Sequence, residues 1–365
     1  MSLDINKKIT ILIPALNPTK EFIEYINELI ENGFEDIIVV NDGSKETSKT
    51  IFENISKIKK CTIIVHKENQ GKGKALKDGL KYFKIHSKGK IGIITADCDG
   101  QHLVKDIVKI AEKIAENSNS LILGTRNFNQ KDVPEKSSFG NKITSSVFKI
   151  LYGIEITDTQ TGLRGIPLKL VEEFQKIQGN RYEYETNMLI FCIKEQIEMI
   201  EEPITTVYID KNVNSNFRPV KDSIMIYGRI LNSFLKYSMV SILSFILDIM
   251  IFKVFLMTVK LNIEQAKLIV LATVFARIIS SLFNYILNKK VTFKSNEKII
   301  STLVKYYILC VTQMIISGLL VATIYSLTGW TEVGIKLIVD TILFVINYRI
   351  QKIWVFNTKL YIKKG

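Results

Sequence analysis

Residues 306–327 form a run of 22 positions without a charged side chain, and this run constrains the fold most strongly. As an α-helix it is long enough to cross the hydrocarbon core of a bilayer, which is about 30 Å thick. Extended slightly, it gives a span at about 304–327. Two further apolar windows, at about 237–259 and 266–287, are interrupted by charges, and a fourth at about 333–350 is shorter. The sequence therefore predicts four membrane helices in the C-terminal third of the chain.

The excess positive charge lies in the same region. Residues 1–229 contain 33 basic and 31 acidic side chains, whereas residues 230–365 contain 16 basic and 5 acidic ones. A surface that binds nucleic acid carries its basic residues without long apolar spans. The distribution therefore argues against a nucleic-acid partner and favours a membrane domain with basic edges.

The basic residues between the predicted spans indicate the orientation of the chain in the membrane. Two lie between the first and second spans, five between the second and third, one before the fourth and five after it. By the positive-inside rule, this alternation places the N-terminal domain and the C-terminus in the cytoplasm. The first apolar run, residues 9–13, is too short for a signal peptide. We therefore expect a multi-pass protein of the cell (inner) membrane with a cytoplasmic first domain.

A short motif occurs twice in the predicted membrane domain. An Asn-Tyr pair begins at Asn284 and at Asn347, and a Phe follows nine residues after each Asn, at Phe293 and Phe356. Duplication of a helical hairpin explains this repeat, and a site for a lipid headgroup is the functional alternative.

Asp248 and Arg277 are among the charged residues that lie inside predicted spans. Charges at membrane depth are costly unless they are paired or hydrated. These two are expected to pair with each other or to line a lipid path, and packing in a homo-oligomer explains them equally well.

The first half of the chain alternates short apolar runs with amphipathic helical patterns. Five runs have the pattern of buried strands: residues 9–13, 37–40, 62–65, 91–95 and 121–123. Helical patterns lie around residues 19–32, 45–57, 73–86 and 102–116. This alternation predicts a mostly parallel, Rossmann-like α/β sheet. Ligands bind such sheets beyond the carboxyl ends of the strands, so the polar residues that follow each strand mark the candidate active site.

Several of these polar residues suit a nucleotide and a metal. Asp97 and Asp99 follow the fourth predicted strand, and two carboxylates suit a hard cation such as Mg²⁺ or Mn²⁺ that would bridge the phosphates of a nucleotide. Glycines with Lys72 and Lys74 stand at the start of a helix, where phosphate binds favourably. Asp42 suits a base or ribose, or alternatively a turn and helix cap.

The order of these motifs is more specific than any one of them. They are Ile13-Pro14-Ala15-Leu16-Asn17, Val40-Asn41-Asp42-Gly43-Ser44, Asn69-Gln70-Gly71-Lys72-Gly73, Ala96-Asp97-Cys98-Asp99-Gly100-Gln101 and Gly124-Thr125-Arg126, with later segments at 158–164, 181–185 and 212–223. In this order they resemble glycosyltransferase family 2, in particular the polyprenyl-phosphate sugar transferases similar to dolichyl-phosphate mannose synthase. Residues 230–365 resemble the GtrA family of four-helix membrane proteins.

The resemblance implies a GT-A catalytic domain over residues 1–229 and an all-α, four-helix transmembrane domain over residues 230–365. It implies a nucleotide sugar donor, a polyprenyl phosphate acceptor and a divalent cation, Mg²⁺ or Mn²⁺. It assigns Pro14, Ala15, Asn17, Asp42, Lys74, Asp97, Cys98 and Arg218 to the donor, Asp97, Asp99 and Gln101 to the metal, and Arg126 and Lys136 to the acceptor phosphate. The sequence departs from the family pattern at Pro18 and Asn41, where many relatives have acidic residues, and at Lys136, where a second arginine is expected.

These assignments imply a single displacement with inversion at the anomeric carbon. A phosphate monoester is already largely anionic near neutral pH, so it needs a cationic site and an in-line approach more than a general base. The metal at Asp97 and Asp99 would offset the charge of the leaving nucleoside diphosphate. Asp158 is the candidate base if one is used, and an Asx-type turn before Thr159 is the alternative.

Two amphipathic segments, near residues 136–153 and 219–233, are expected to lie at the membrane interface. One helical face of the first carries the apolar residues Phe139, Ile143, Val147 (or Phe148), Leu151 and Tyr152, a pattern that a core-facing helix also explains.

The sequence therefore predicts inverting transfer of a hexose from a nucleotide sugar of the GDP-mannose or UDP-glucose type to dolichyl or undecaprenyl phosphate at the cytoplasmic membrane face. The alternative function is translocation of lipid-linked sugars, or an association with their transport, with a glycosyltransferase-like domain that is not catalytic.

Overall fold

The computed structural model describes residues 2–128, 135–205, 219–259 and 264–357. The chain divides into two units, Met1–Ile230 and Leu231–Lys359. Each unit has a hydrophobic core of its own.

One seven-stranded sheet forms the centre of the first unit. Its strands are β1 (Ile9–Ala15), β2 (Ile37–Asp42), β3 (Cys61–His66), β4 (Gly92–Thr95), β5 (Leu121–Arg126), β6 (Arg164–Pro167) and β7 (Met199–Ile204). Their order across the sheet is β3-β2-β1-β4-β6-β5-β7. All neighbouring pairs are parallel except those of β6, which runs antiparallel to β4 and β5. The predicted mostly parallel α/β sheet and its five strands are confirmed.

The predicted set lacks β6 and β7, because neither strand has an apolar run. β6 begins with the fully buried Arg164 and ends with Pro167. β7 contains Glu201, Glu202 and Pro203, and it lies at one edge of the sheet, where proline and charged side chains are tolerated. β1 and β2, by contrast, are buried along most of their length, as expected for strands covered on both faces.

Helices pack around this sheet. They are α1 (Ser2–Lys7), α2 (Glu21–Glu31), α3 (Lys49–Ser56), α4 (Lys72–His86), α5 (Val104–Glu116), α6 (Glu135–Tyr152), α7 (Leu168–Gln175) and α8 (Glu183–Glu195). The four helical patterns predicted between the first five strands correspond to α2, α3 with its preceding 3₁₀ turn, α4 and α5.

The apolar face predicted for the segment near 136–153 is divided in the structure. α6 forms there, but Phe148 and Leu151 are buried in the first unit, whereas Phe139 and Ile143 are exposed. A single continuous membrane-facing stripe is therefore wrong, because the C-terminal part of the stripe belongs to the protein core. A membrane contact of Phe139 and Ile143 stays a prediction.

The second unit is helical. Its helices are α9 (Pro219–Thr258, which begins in the first unit), α10 (Gln265–Leu287), α11 (Ile299–Thr328) and α12 (Glu332–Ile350). Within the described residues, three helices are long and apolar enough to cross a membrane, and they comprise Ser223–Thr258, Gln265–Thr292 and Ile299–Thr328. The fourth predicted span forms a helix, but Lys336, Asp340 and Arg349 reduce its apolar character. The segment predicted at 219–233 is not a separate helix, since α9 continues through it without a break.

The repeated Asn-Tyr motif adopts the same local structure in both copies. A π-helical turn follows α10 at Asn288–Thr292 and follows α12 at Gln351–Val355. The two phenylalanines that end the copies, Phe293 and Phe356, stack with their ring centroids 5.1 Å apart. Duplicated hairpins account for this arrangement, and the lipid-headgroup site stays a prediction.

The charged residues inside the predicted spans have polar partners. Arg277 Nη2 lies 3.4 Å from Asp248 Oδ2, and the Ser280 hydroxyl donates a hydrogen bond of 2.7 Å to Asp248 Oδ1. The pairing of Asp248 with Arg277 is therefore present in the structure.

Candidate active site

The loop that follows β4 carries the two aspartates of the predicted metal site. Asp97 is bound by a lysine from another element, since Lys72 Nζ lies 2.8 Å from Asp97 Oδ1 and 3.1 Å from Glu185 Oε1. Lys72 is the first residue of α4, and Glu185 lies in the first turn of α8. The carboxyl end of β4 and the amino ends of two helices therefore meet at this point.

Charge and burial act in opposite directions on this pair. Burial by itself would raise the pKa of Asp97, but the Lys72 ammonium outweighs burial and lowers the pKa to about 2. Burial would likewise lower the pKa of Lys72, yet the charges of Asp97 and Glu185 keep it above its ordinary value. Asp97 is thus a carboxylate, and Lys72 is an ammonium group, at any physiological pH.

Asp99 and its neighbours complete the loop. Partial burial and the charge of Asp97 raise the pKa of Asp99. Burial, with the charges of Asp99 and Asp97, raises the pKa of the Cys98 thiol to about 12, so this side chain is a neutral thiol. The Gln101 N–H donates to Asp99 Oδ1 at 3.1 Å, which closes the loop around Asp99.

His102 supports the backbone of the same loop. Burial lowers the pKa of His102 to about 4, so its ring is neutral. Its Nδ1 accepts a hydrogen bond of 3.1 Å from the Asp97 N–H. No local sequence pattern indicates this role of His102, because the contact depends on how the loop folds.

Arg126, at the end of β5, is held by Asp158. Arg126 Nε and Nη2 donate to the two carboxylate oxygens of Asp158 at 2.7 and 3.0 Å, and the Arg126 backbone N–H donates at 3.2 Å. Asp158 is completely buried. It also accepts a hydrogen bond from the Gln160 N–H at 3.1 Å, which is the Asx-type turn considered as the alternative for this residue.

A polar cavity of about 40 Å³ joins the aspartate loop and the arginine. The residues that line it are Asp97, Gln101, His102, Arg126, Gln160, Gly162, Ile204 and Thr205. Gly162 is a close neighbour of the ion pair, since a Cβ atom at this position would lie 2.5 Å from Asp97 Oδ2 and 3.0 Å from Lys72 Nζ. Glycine is therefore required here if Asp97 and Lys72 are to keep their places.

The loops after β1 and β2 are tied together beside the aspartate loop. The Asn17 N–H donates to Ser44 Oγ at 2.9 Å, and the Lys45 N–H donates to Asn17 Oδ1 at 2.8 Å. Asn17 has a left-handed backbone, with φ of 52°. Pro14 and Ala15 belong to β1 and lead into this turn, so the residues assigned to the donor from the first strand share one edge of the sheet with Asp97.

The carboxylate of Asp42 forms hydrogen bonds within the protein. It is 3% exposed, and its carboxylate accepts hydrogen bonds from the N–H groups of Gln70 and Gly71 and from the His66 ring. A nucleoside contact of Asp42 stays a prediction, and the structure adds that Asp42 shapes the loop before α4.

The structure distinguishes the two lysines at the start of α4. Lys74, which was assigned to the donor, forms an ion pair of 2.7 Å with Asp78 on its own helix. Lys72 instead reaches Asp97, so it is the lysine nearest the candidate metal site. Lys72, Gly162 and Glu185 lie within the sequence motifs at 69–73, 158–164 and 181–185, but no local pattern predicts that these three residues meet at Asp97. Arg218 and the side chain of Lys136 lie outside the described residues.

A divalent cation fits the side chains of the aspartate loop if substrate oxygens complete its coordination. Among the described residues, no group of three or more His, Cys, Asp or Glu side chains could hold a metal ion. Two carboxylates with substrate phosphates are a common ligand set for Mg²⁺, which retains waters and seldom occupies an all-protein cage. Asp97 and Asp99 match this incomplete set.

The chain thus combines a mixed α/β sheet that carries carboxylates and cations at one edge with helices long and apolar enough to cross a membrane. The chain belongs to glycosyl transferase family 2, whose model matches residues 10–174, and residues 236–356 match the GtrA/DPMS transmembrane domain. It is therefore a glycosyltransferase with a GtrA-type membrane domain, as the resemblance implied.

Two relatives illustrate the similarity. A UDP-N-acetylglucosamine–dolichyl-phosphate N-acetylglucosaminyltransferase from Methanococcus voltae is 31% identical over 224 residues, which are 56% of this chain and 88% of the relative. A dolichyl-phosphate beta-glucosyltransferase from Trichomonas vaginalis is 25% identical over 215 residues, which are 53% of this chain and 64% of the relative. Among solved structures, glucosyl-3-phosphoglycerate synthase from Mycobacterium tuberculosis matches with 14% identity and a TM-score of 0.46, covering 63% of this chain and 80% of that one.

Proposed function

We propose that this protein transfers a sugar from a nucleotide sugar to a polyprenyl phosphate, dolichyl or undecaprenyl, at the cytoplasmic face of the cell membrane. The observation that carries the proposal is the cavity in which Asp97, next to Lys72, faces Arg126. A carboxylate that suits a cation and a guanidinium that suits a phosphate line the same small polar space. A donor diphosphate and an acceptor phosphate are the two anionic groups that would meet at this edge of the sheet.

The donor diphosphate is assigned to Asp97, which lines the cavity, and to its neighbours Asp99 and Lys72. A bound Mg²⁺ or Mn²⁺ would supply positive charge that offsets the charge of the leaving diphosphate. The Lys72 ammonium group lies next to Asp97 and would add a second positive charge near the leaving diphosphate. Pro14, Ala15 and Asn17 are assigned to the nucleoside, because their loop shares the edge of the sheet with Asp97.

The acceptor phosphate is assigned to Arg126. Asp158 fixes the plane of the guanidinium by a bidentate contact, so its orientation is set before any substrate binds. An oxygen of the acceptor phosphate attacks the anomeric carbon while the bond from that carbon to the donor diphosphate breaks. The configuration is thereby inverted, and no proton has to be removed from the nucleophile.

This arrangement assigns Asp158 the role of positioning Arg126. Both carboxylate oxygens of Asp158 already accept hydrogen bonds from the guanidinium, so both are engaged in holding Arg126. The hypothesis that Asp158 is a general base is therefore not carried into the proposed mechanism.

The identity of the sugar follows from a direct assay. Full-length protein in detergent is incubated with radiolabelled UDP-N-acetylglucosamine, UDP-glucose or GDP-mannose, each with dolichyl or undecaprenyl phosphate, and lipid extracts are analysed by mild acid release. We expect one donor to give an acid-labile lipid product that requires Mg²⁺ or Mn²⁺ and disappears with a chelator. A protein that only transports lipid-linked sugars would give no product with any donor.

A pair of variants tests the metal assignment. Asp99→Asn should lower turnover about 100-fold or more, since one charged ligand is lost at the point where charge develops. Asp4→Asn, at an exposed position in α1, is the matched control and should retain wild-type turnover. Equal turnover of the Asp99 variant and the wild type, with either metal supplied, would contradict the assignment of Asp99 as a metal ligand.

A further inference from the structure

His66 is a buried ring that lies between two carboxylates. It is the last residue of β3, and its side chain is 6% exposed. Nδ1 lies 2.7 Å from Asp42 Oδ1, and Nε2 lies 3.0 Å from Asp78 Oδ2. Both ring nitrogens therefore lie within hydrogen-bond distance of a carboxylate oxygen. The ring bridges β2 and α4 from the end of β3.

The charges around the ring form a closed set. Asp42 faces it from β2 and Asp78 faces it from α4, and the other oxygen of Asp78 lies 2.7 Å from Lys74 Nζ. Two carboxylates thus contact the His66 ring, and one of them also pairs with the Lys74 ammonium group. Such charge-assisted hydrogen bonds are shorter and stronger than neutral ones, and they fix the directions of the groups that they join.

Hydrogen bonds of the Asp42 carboxylate link the His66 ring to the turn before α4. Its carboxylate accepts hydrogen bonds from the N–H groups of Gln70, at 2.9 Å, and Gly71, at 2.8 Å. Gly71 has φ of 102°, and a Cβ atom there would lie 2.4 Å from the Asn180 carbonyl oxygen, so this turn has little freedom. The next residue is Lys72, and its Nζ lies 2.8 Å from Asp97 Oδ1.

We infer that His66 is a positioning residue of the donor site, which acts through Asp42 and the turn at Gly71 to hold Lys72 where it meets the donor diphosphate. The inference rests on the proposed function, because it assigns Lys72 to the nucleoside diphosphate. His66 itself touches no substrate in this account. Its effect should therefore appear in the affinity for the nucleotide and only weakly in the chemical step.

Nucleotide binding tests this role without any transfer reaction. Full-length wild type, His66→Gln and His86→Gln in detergent are titrated with UDP and with GDP in the presence of Mn²⁺. His86 is the matched control, since it is exposed on α4 and its Nδ1 lies 2.9 Å from the Tyr82 carbonyl of the same helix. We expect the Kd of the nucleotide that binds to rise about tenfold for His66→Gln and to stay within about twofold for His86→Gln.

Steady-state kinetics separate a positioning role from a purely structural one. For His66→Gln we expect a higher KM for the nucleotide sugar, with kcat and the KM for the lipid acceptor within about threefold of wild type. A general loss of folded protein would instead lower kcat and leave both KM values unchanged, and that result would overturn the inference.

The environment of the ring is a second, independent readout. The chain has 3 histidines, so ¹⁵N-histidine spectra of the full-length protein are assignable from the His66 and His86 variants. We expect the His66 resonances to shift in Asp78→Asn, which keeps the side chain size but changes the partner of Nε2, and the His86 resonances to stay in place. If His66→Gln does not fold, these spectra decide, and His66 resonances that do not respond to Asp78→Asn overturn the inference.

The outcomes distinguish the two proposals. Nucleotide binding that depends on His66 without any transfer to lipid overturns the proposed acceptor and leaves the inference standing. Transfer that is unaffected by His66→Gln overturns the inference alone. A wild-type protein that binds neither nucleotide overturns both.

Discussion

At the scale of single residues, the candidate site depends on where two lysines point. Lys72 and Lys74 are two positions apart at the start of α4, and residues at this spacing project from different sides of a helix with 3.6 residues per turn. Lys72 therefore reaches Asp97, while Lys74 pairs with Asp78 on its own helix. Both lysines suit phosphate by charge, but only the first stands beside the aspartate loop.

Gly162 offers a test of this ion pair that leaves its charges unchanged. Gly162→Ala should lower turnover about tenfold or more, because the new Cβ would lie 2.5 Å from Asp97 Oδ2 and displace it. Gly140→Ala in α6, where no atom lies within 4 Å of the added Cβ, is the matched control. Turnover is measured for both in the transfer assay, and equal activity of the two variants would contradict the placement of Asp97.

The pair of Arg126 and Asp158 shows how burial sets a residue's chemistry. Asp158 is completely buried, and loss of one partner from a buried ion pair leaves an uncompensated charge that costs about 3–5 kcal/mol. Asp158 is consequently a structural anchor for the arginine. Its sequence context alone was compatible with a base as well as with a turn.

At the scale of elements, α6 connects the protein core to the active site. Buried Asn141 donates to the Thr157 carbonyl at 2.6 Å and accepts from the Thr159 N–H at 3.0 Å. The segment that carries Asp158 is therefore clamped on both sides by one α6 side chain. α6 therefore supports the segment next to the candidate active site, whether or not its exposed residues contact a membrane.

The divided face of α6 predicts opposite effects for two phenylalanines of the same helix. Phe148→Ala should destabilise the first unit by about 3–5 kcal/mol, because Phe148 is completely buried. Phe139→Ala should change stability by less than about 0.5 kcal/mol, because Phe139 is 67% exposed. The measurement is the thermal unfolding midpoint of the full-length protein in detergent. Similar midpoints for the two variants would contradict the division of the face.

At the scale of the whole molecule, the distribution of charge predicts the membrane orientation. The segment between α10 and α11 is rich in lysine, whereas the short segment between α11 and α12 contains none. The positive-inside rule then places the first segment in the cytoplasm and the second on the opposite side.

Cysteine labelling tests this orientation. In a variant with all four native cysteines replaced by serine, Thr331→Cys should react with a membrane-impermeant maleimide in intact cells, and Asn296→Cys should react only after permeabilisation. Both positions are exposed in the structure, so accessibility within the protein is matched. Labelling of Asn296→Cys in intact cells would contradict the predicted orientation. The glycosyltransferase unit would then lie on the side of the membrane that cytosolic nucleotide sugars do not reach.

The sequence by itself determined the features that depend on neighbouring residues. Strands and helices of the first half follow from the local period of apolar side chains, and the membrane helices follow from the length of uncharged runs. The spacing of Asp97 and Asp99 after a strand is likewise local, so the candidate metal site could be selected from the sequence. β6 was not predicted, because the buried Arg164 interrupts the apolar pattern of the strand. The burial of Arg164 depends on hydrogen bonds to the carbonyl groups of Thr161 and Glu185.

Only the tertiary structure decided which side chains meet. The choice of Lys72 over Lys74, the pairing of Arg126 with Asp158, and the bridge from His66 to Asp42 all join residues from different elements. A side chain's partner across such a distance depends on how helices and strands pack, and local period carries no information about packing. Most strands and helices could therefore be predicted from the sequence, whereas the partner of each charged side chain is determined by the tertiary structure.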